Sequence, residues 1–336
     1  MNSISLPSPH ELKQTFPLSK ESAQLIAYCR AAAKNILNGT DRRKAIIVGP
    51  CSIHDPNSAV EYAKLFKSLS ERVSKTCVMF MRVYAEKART ASGWKGLMND
   101  PYLDGTNDIK TGLFLTRKLL LTLTEMQIPI ATEFVDPLAA LYIDDLISWG
   151  FIGARTCESP MNRQLASYLT MPIGFKNSTD GNLDNAINGA LFAREPHVFM
   201  NIDPSGKLCA LQSRGNLATH IVLRGSNDAT NYDPISVTTA LNKLQRSRLP
   251  QRLLIDCAHG NCQKQYLKQK EVFYSIIDQI GNGNENIIGL MLESHLEEGN
   301  QILTKNHAAL KSAVSITDPC LNWETTAELI SHCHPQ

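Results

Sequence analysis

The sequence predicts an α/β protein: a closed (β/α)8 TIM barrel with an N-terminal helical extension and an insertion between strands five and six. Three observations lead there. Eight short apolar runs recur along the chain, each followed by residues with helical spacing. The runs are apolar at successive positions rather than at alternate ones, which suits a parallel sheet covered on both faces. Their spacing is mostly about thirty residues, the length of a strand, a helix and their loops. Eight such units close most simply into a barrel, with a doubly wound open sheet as the competing arrangement.

The elements follow in order. Residues 1–40 read as a helical extension and 41–336 as the barrel domain. The first strand is AIIVG (45–49), and Asp55-Pro56 then opens a helix, because an Asp cap before a Pro at the first helical position is a start signal. VMFMRVY (78–84) precedes the helix LFLTRKLLLTLTEM (113–126). IPIATEF (128–134) precedes DPLAALYIDDLISWG (136–150), and FIGAR (151–155) precedes MNRQLASYL (161–169). PIGFK (172–176) leads into a helix around DNAINGALFA. A longer gap, 43 residues from Asn177 to Thr219, has room for two additional strands, HVFMNID and LCALQ. HIVLRG (220–225), RLLIDCA (252–258) and IIGLMLE (287–293) complete the eight, and a helix at 323–332 closes the chain.

Composition removes several function classes. Of 336 residues, 34 are Lys or Arg and 32 are Asp or Glu, so the formal net charge of +2 offers no field to hold nucleic acid or an anionic membrane. Aromatic residues are 7%, too few for a base-stacking platform. No apolar stretch approaches the roughly 18 residues of a membrane span. The segment MNSISLPSPHELKQ lacks the basic start and apolar centre of a secretory signal. Nine irregularly spaced cysteines without a CxxC pair read as free thiols, and the expected location is the cytoplasm.

Barrel enzymes place their chemistry at the C-terminal ends of the strands. There the sequence carries Cys51, Arg82 with Lys87 and Arg89 beyond it, Glu133, Arg155, Lys176, Arg224, His259 and Glu293, and then Asp318 in the next loop. One charged residue after a strand is usually just the first solvated position. The whole set divides by chemistry. Six cations at one mouth call for polyanionic substrates, most simply phosphates and carboxylates. Cys51, His259, Glu293 and Asp318 offer one sulfur, one nitrogen and two carboxylates. That set suits a borderline divalent cation, Mn2+, Fe2+, Co2+ or Zn2+, and is too soft for a dedicated Mg2+ or Ca2+ site. A Lewis acid beside a phosphate cradle points to carbonyl polarisation.

At these residues the chain resembles the type I 3-deoxy-D-arabino-heptulosonate-7-phosphate (DAHP) synthases, of the class I-alpha subgroup found in enteric bacteria and yeast. The motifs are GPCSIHDP (49–56), MRVYAEKART (81–90), GWKGLMNDP (93–101), GARTCES (153–159), GFKNSTDG (174–181), HIVLRG (220–225), IDCAHGN (255–261), MLESHLEEGNQ (291–301) and SITDPCLNWE (315–324). They run in order from about residue 10 to the end. The resemblance implies a metal-dependent condensation of phosphoenolpyruvate with erythrose 4-phosphate that releases phosphate and opens the shikimate pathway to the aromatic amino acids. It implies Cys51, His259, Glu293 and Asp318 as metal ligands. Arg155, with Ala154 beside it, and Arg224 would hold the phosphoenolpyruvate phosphate; Arg82, Lys87 and Lys176 would hold its carboxylate. Arg89 and Thr90 would grip the tetrose phosphate. Lys87, Glu133, His259 and Asp318 would be the catalytic group, with Lys87 the acid at the developing alkoxide. A homodimer or homotetramer is implied too.

Two departures stand out. The family's tetrose loop reads Lys-Pro-Arg-Thr, whereas this chain has Lys87-Ala88-Arg89-Thr90, which predicts weaker or broader choice of aldehyde because proline restrains a loop and alanine does not. Feedback-regulated relatives carry an acidic N-terminal arm, and the start MNSISLPSPHE is nearly without acid. A related condensation with another phosphosugar, and a catalytically silent anion-binding barrel, are the competing readings.

Overall fold

The computed structural model describes residues 3–304 and 306–333. Helices α1 (Pro9–Thr15) and α2 (Lys20–Asn38) come first. Ser19 caps α2 by accepting the Ser22 N–H, and Gly39 ends it in the left-handed conformation at φ +82° that glycine adopts without a Cβ penalty. The barrel then runs β1 (Lys44–Gly49), α3 (Pro56–Val73), β2 (Cys77–Arg82), α4 (Ile109–Glu125), β3 (Ile130–Glu133), β4 (Trp149–Ile152), α5 (Pro160–Tyr168), β5 (Ile173–Lys176) and α6 (Asp184–Arg194). After the hairpin β6 (Val198–Ile202) and β7 (Leu208–Gln212) come β8 (Thr219–Leu223), α7 (Pro234–Arg246), β9 (Leu253–Asp256), α8 (Gln269–Gly281), β10 (Ile287–Glu293) and α9 (Trp323–Ser331).

Eight parallel strands close in the order β1-β2-β3-β4-β5-β8-β9-β10, with β10 pairing back onto β1 from Ala45↔Gly289 to Gly49↔Glu293. The insertion is a separate antiparallel hairpin in register Val198↔Gln212 to Ile202↔Leu208. Asp55, Ser159 and Asp233 cap α3, α5 and α7, each with a proline at the first turn, as the Asp-Pro signal predicts.

The helix expected over 136–150 is not there. Two short 3-10 turns, Ala139–Tyr142 and Asp144–Leu146, occupy its place, and β4 starts at Trp149. Long-range arginines claim the carbonyls a helix would have used. Arg117 donates to the Tyr142 carbonyl at 2.9 Å and clasps Asp145 through two 2.8 Å bonds. Arg30 of α2 donates to the carbonyls of Asp144 (2.6 Å) and Ile147 (2.9 Å). Two buried or half-buried guanidiniums that complete these bonds outweigh the modest gain of one more helical turn.

The barrel interior explains where the site lies. Cys29, Ala33, Ile36 and Leu37 of α2 pack onto Ala45, Ile47, Phe80, Trp149, Phe151, Val222 and Leu254 inside the strands, plugging the N-terminal end. Side chains alternate along a strand, so two residues beyond each interior apolar position another side chain enters the barrel. Phe80 is followed by Arg82, Ala131 by Glu133, Val222 by Arg224, Leu254 by Asp256 and Met291 by Glu293. The apolar plug therefore gives way, one layer up, to a layer of charge.

Candidate active site

Cys51 follows β1, and Glu293 ends β10, the strand paired with it. The Ser294 N–H donates to the Gly49 carbonyl at 2.9 Å, fixing the two strand ends side by side. Asp318 arrives from the loop before α9. The hydroxyls of Ser52 and Thr317 bond at 2.7 Å, and the Leu321 N–H donates to the Glu293 carbonyl at 3.0 Å, tying that loop to both strands. Donor atoms of Cys51, Glu293 and Asp318 consequently all lie within 4.8 Å of one another. His259 Nε2 stands 3.4 Å from Glu293 Oε1 at the edge of this group. A thiol and two carboxylates brought this close inside a protein repel when ionised and gain from a shared cation. The three fit a divalent metal in both spacing and donor chemistry, and His259 at their edge offers a nitrogen donor of the kind such a metal takes.

The cations surround this group. Lys87 Nζ lies 3.1 Å from Cys51 Sγ and 3.3 Å from the Cys51 carbonyl. Burial works against its charge, yet Cys51, Glu293, Asp318 and Glu133 together hold the ammonium's pKa above its usual range. Burial, reinforced by Glu293, pushes the Cys51 thiol up to about 12, so a metal ion must displace its proton to bind as thiolate. Arg82 is fully buried, with Nη2 2.9 Å from Glu293 Oε1 and its guanidinium 4.0 Å above the Tyr84 ring. Lys176 Nζ is 2.8 Å from Asp256 Oδ2. Arg224 is buried, and its backbone N–H donates to the Asn177 side chain at 2.9 Å. Gly153 leaves room for Glu133, whose carboxylate a Cβ there would strike.

The outer residues are more open. Arg155, Arg89 and Thr90 are exposed and Ala154 is half-buried. Arg155 Nε donates to the Thr90 hydroxyl at 2.9 Å, joining the β4 loop to the loop after β2, and Arg89 Nε donates to the Trp94 carbonyl at 2.7 Å.

This layer also holds residues the sequence reading passed over. Asp256 is fully buried between Lys176 and His259. Gln269, also fully buried, clasps the Glu293 backbone through bonds of 2.9 and 3.0 Å. The inward alternation from Leu254 marks Asp256 from sequence alone; nothing local marks Gln269 or Asn177, whose partners lie on other strands. Size does not mark the site either. A cavity of about 920 Å3 opens at the opposite end of the barrel, against Lys34, His220 and Arg252, while the charged layer sits at the C-terminal mouth.

Residues 15–331 match the sequence model of the DAHP synthetase I family. The chain belongs to that family. It is 46% identical over 329 residues to the Tyr-sensitive phospho-2-dehydro-3-deoxyheptonate aldolase of Escherichia coli K12, covering 98% of this chain and 92% of the relative. The Trp-sensitive enzyme of the same strain is 44% identical over 326 residues, covering 97% and 93%. In three dimensions the chain superposes on a phospho-2-dehydro-3-deoxyheptonate aldolase from Francisella tularensis SCHU S4 with a TM-score of 0.96, 40% identity, and 99% and 96% coverage. Both the barrel and the family expected from the sequence are thereby shown.

Proposed function

We propose that the protein condenses phosphoenolpyruvate with erythrose 4-phosphate and water to give DAHP and inorganic phosphate, the first step toward the aromatic amino acids. The observation that carries this reading is the closed donor group of Cys51, Glu293 and Asp318, ringed by buried cations at the C-terminal mouth. A silent barrel would have no reason to keep such a group intact. Mn2+, Fe2+, Co2+ and Zn2+ all suit these donors.

Cys51, His259, Glu293 and Asp318 would hold the metal, which when bound supplies Lewis-acid polarisation of an aldehyde oxygen. The remaining steps fall to the chain's own residues. Arg82, Lys87 and Lys176 hold the phosphoenolpyruvate carboxylate. Arg155, Arg224 and the Ala154 backbone hold its phosphate, while Arg89 and Thr90 hold that of the tetrose. Two polyanions can approach face to face only because these cations offset their repulsion. The C3 carbon of phosphoenolpyruvate attacks the aldehyde carbon, and Lys87 delivers a proton to the new alkoxide. Water, oriented by Glu133, adds at C2, and the C2–O bond to phosphate breaks as the water oxygen becomes the ketone; one water proton leaves with the phosphate and the other restores Lys87.

The Ala88 loop favours a second reading, in which another aldehyde phosphosugar is accepted. Loss of phosphoenolpyruvate absorbance, followed with erythrose 4-phosphate and with other aldose phosphates, tests both. Consumption with erythrose 4-phosphate alone supports the first reading, and consumption only with another sugar replaces it. The exposed apolar side chains Val198, Met200 and Leu208 on the β6–β7 hairpin support a homodimer or homotetramer, which light scattering would read. Among the described residues no helix is long and apolar enough to cross a membrane. The free thiols suit the cytoplasm, and phenylalanine, tyrosine and tryptophan added singly to the assay would identify any feedback effector.

A further inference from the structure

We infer that Asp256 is the positioning residue that couples the metal half of the site to the phosphoenolpyruvate half, one carboxylate oxygen orienting both His259 and Lys176. This rests on the reading just proposed, since it assigns His259 to the metal and Lys176 to the substrate carboxylate.

Asp256 ends β9 and is fully buried. Its Oδ1 accepts the Ala258 N–H at 3.0 Å, which fixes the carboxylate plane against its own turn. Oδ2 is then shared, 2.8 Å from Lys176 Nζ and 2.9 Å from His259 Nδ1. Nδ1 makes no hydrogen bond in this arrangement, so its contact with Oδ2 is electrostatic. With Nδ1 turned to Asp256, Nε2 is the ring atom left facing Glu293 at 3.4 Å. A carboxylate on the far nitrogen fixes the tautomer and the direction of a metal-binding imidazole and strengthens it as a ligand.

The loop is built to keep this geometry. His259 has φ +58°, a conformation a histidine holds only when its surroundings impose it. They do so through Asn261, whose side-chain amide donates to the carbonyls of Asp256 (2.9 Å) and Leu223 (3.3 Å). Gly260 packs so closely on the Ser226 backbone that a Cβ would collide with it. On its other side Asp256 holds the Lys176 ammonium of β5 at 2.8 Å, next to the Met291 sulfur and the Tyr84 ring that Arg82 also contacts. A plain counterion to Lys176 would need neither the imposed φ of His259 nor the second contact.

The test is Asp256→Asn, which keeps the size of the side chain and an oxygen for the Ala258 N–H. The readout is Mn2+ affinity of the whole protein, measured from free-ion electron paramagnetic resonance, together with the KM for each substrate. The Kd for Mn2+ should rise about tenfold to a hundredfold. The KM for phosphoenolpyruvate should rise, and that for erythrose 4-phosphate should change less than twofold, on the order of the scatter between neutral variants. Unchanged Mn2+ affinity would overturn the inference. Asp256→Asn also leaves Lys176 buried without its partner, so Asp256→Asn/Lys176→Gln is the second variant. Mn2+ affinity still weakened there supports the inference, and affinity restored to the wild-type value would make Asp256 a counterion only and overturn it. Wild-type protein that bound none of Mn2+, Fe2+, Co2+ and Zn2+ would overturn the metal role in the proposed function, and this inference with it.

Discussion

The Lys87 ammonium and the Cys51 thiol meet at 3.1 Å between Nζ and Sγ, which sets the proposed proton donor directly against a proposed metal ligand. Lys87 is thus placed to protonate an oxygen bound beside that ligand. Lys87→Gln should lower kcat at least about a hundredfold, the usual worth of a positioned acid. Mn2+ affinity should stay within a few-fold of wild type, because Lys87 donates to the group rather than ligating it. Equal losses in both measurements would make Lys87 a structural prop of Cys51.

Arg155 is held by Thr90, so a residue assigned to phosphoenolpyruvate touches one assigned to the tetrose. Arg155→Lys keeps the charge and removes the planar fork that grips a phosphate. The expected result is a rise of about tenfold in the KM for phosphoenolpyruvate, the equivalent of about 1.4 kcal/mol. Thr90→Val should raise the KM for erythrose 4-phosphate and, by freeing Arg155, also that for phosphoenolpyruvate. Steady-state kinetics with each substrate varied in turn would show whether the two responses appear together.

Ala88 lies in the half-buried loop after β2, and among the described residues its N–H makes no hydrogen bond that a proline would break. Ala88→Pro should therefore restrain the loop without a lost bond and lower the KM for erythrose 4-phosphate. An unchanged KM would remove Ala88 as a cause of altered aldehyde choice.

At the plugged end, His220 is buried beside Trp149 and accepts its indole N–H at 3.3 Å. Burial pushes its pKa down to about 4, and burial together with His54 does the same to His295. Their folded pKa values lie below that of an unfolded histidine, so the neutral rings contribute stability that is fully present above about pH 6.5 and is lost as pH falls toward 4. For His220 the loss is on the order of 3 kcal/mol. His220→Gln keeps an acceptor for Trp149 and should flatten the fall in Tm between pH 6.5 and 4. A Tm profile parallel to wild type would contradict this.

The strands were readable because each is an unbroken apolar run, and their ends because charge replaces that apolarity at the mouth. The 136–150 segment misled because it has helical spacing, while Arg30 and Arg117, which decide its conformation, lie far away in sequence. Cys51, Glu293 and Asp318 were legible as residue types, but only barrel closure shows that they converge. Arg82 was legible as a cation and not as the partner of Glu293, a pairing made between β2 and β10 on the two sides of β1. Asp256 was hidden because it completes an apolar strand, and inward alternation from Leu254 is the signal that reveals it.

One metal and phosphoenolpyruvate are expected to meet at the C-terminal mouth. Anomalous diffraction from crystals grown with Mn2+ and phosphoenolpyruvate measures this directly. The expected result is one strong manganese peak ligated by Cys51, His259, Glu293 and Asp318, with phosphoenolpyruvate on Arg155, Lys176 and Arg224. A manganese peak away from these four residues, or phosphoenolpyruvate bound in the cavity at the opposite end of the barrel, would contradict it.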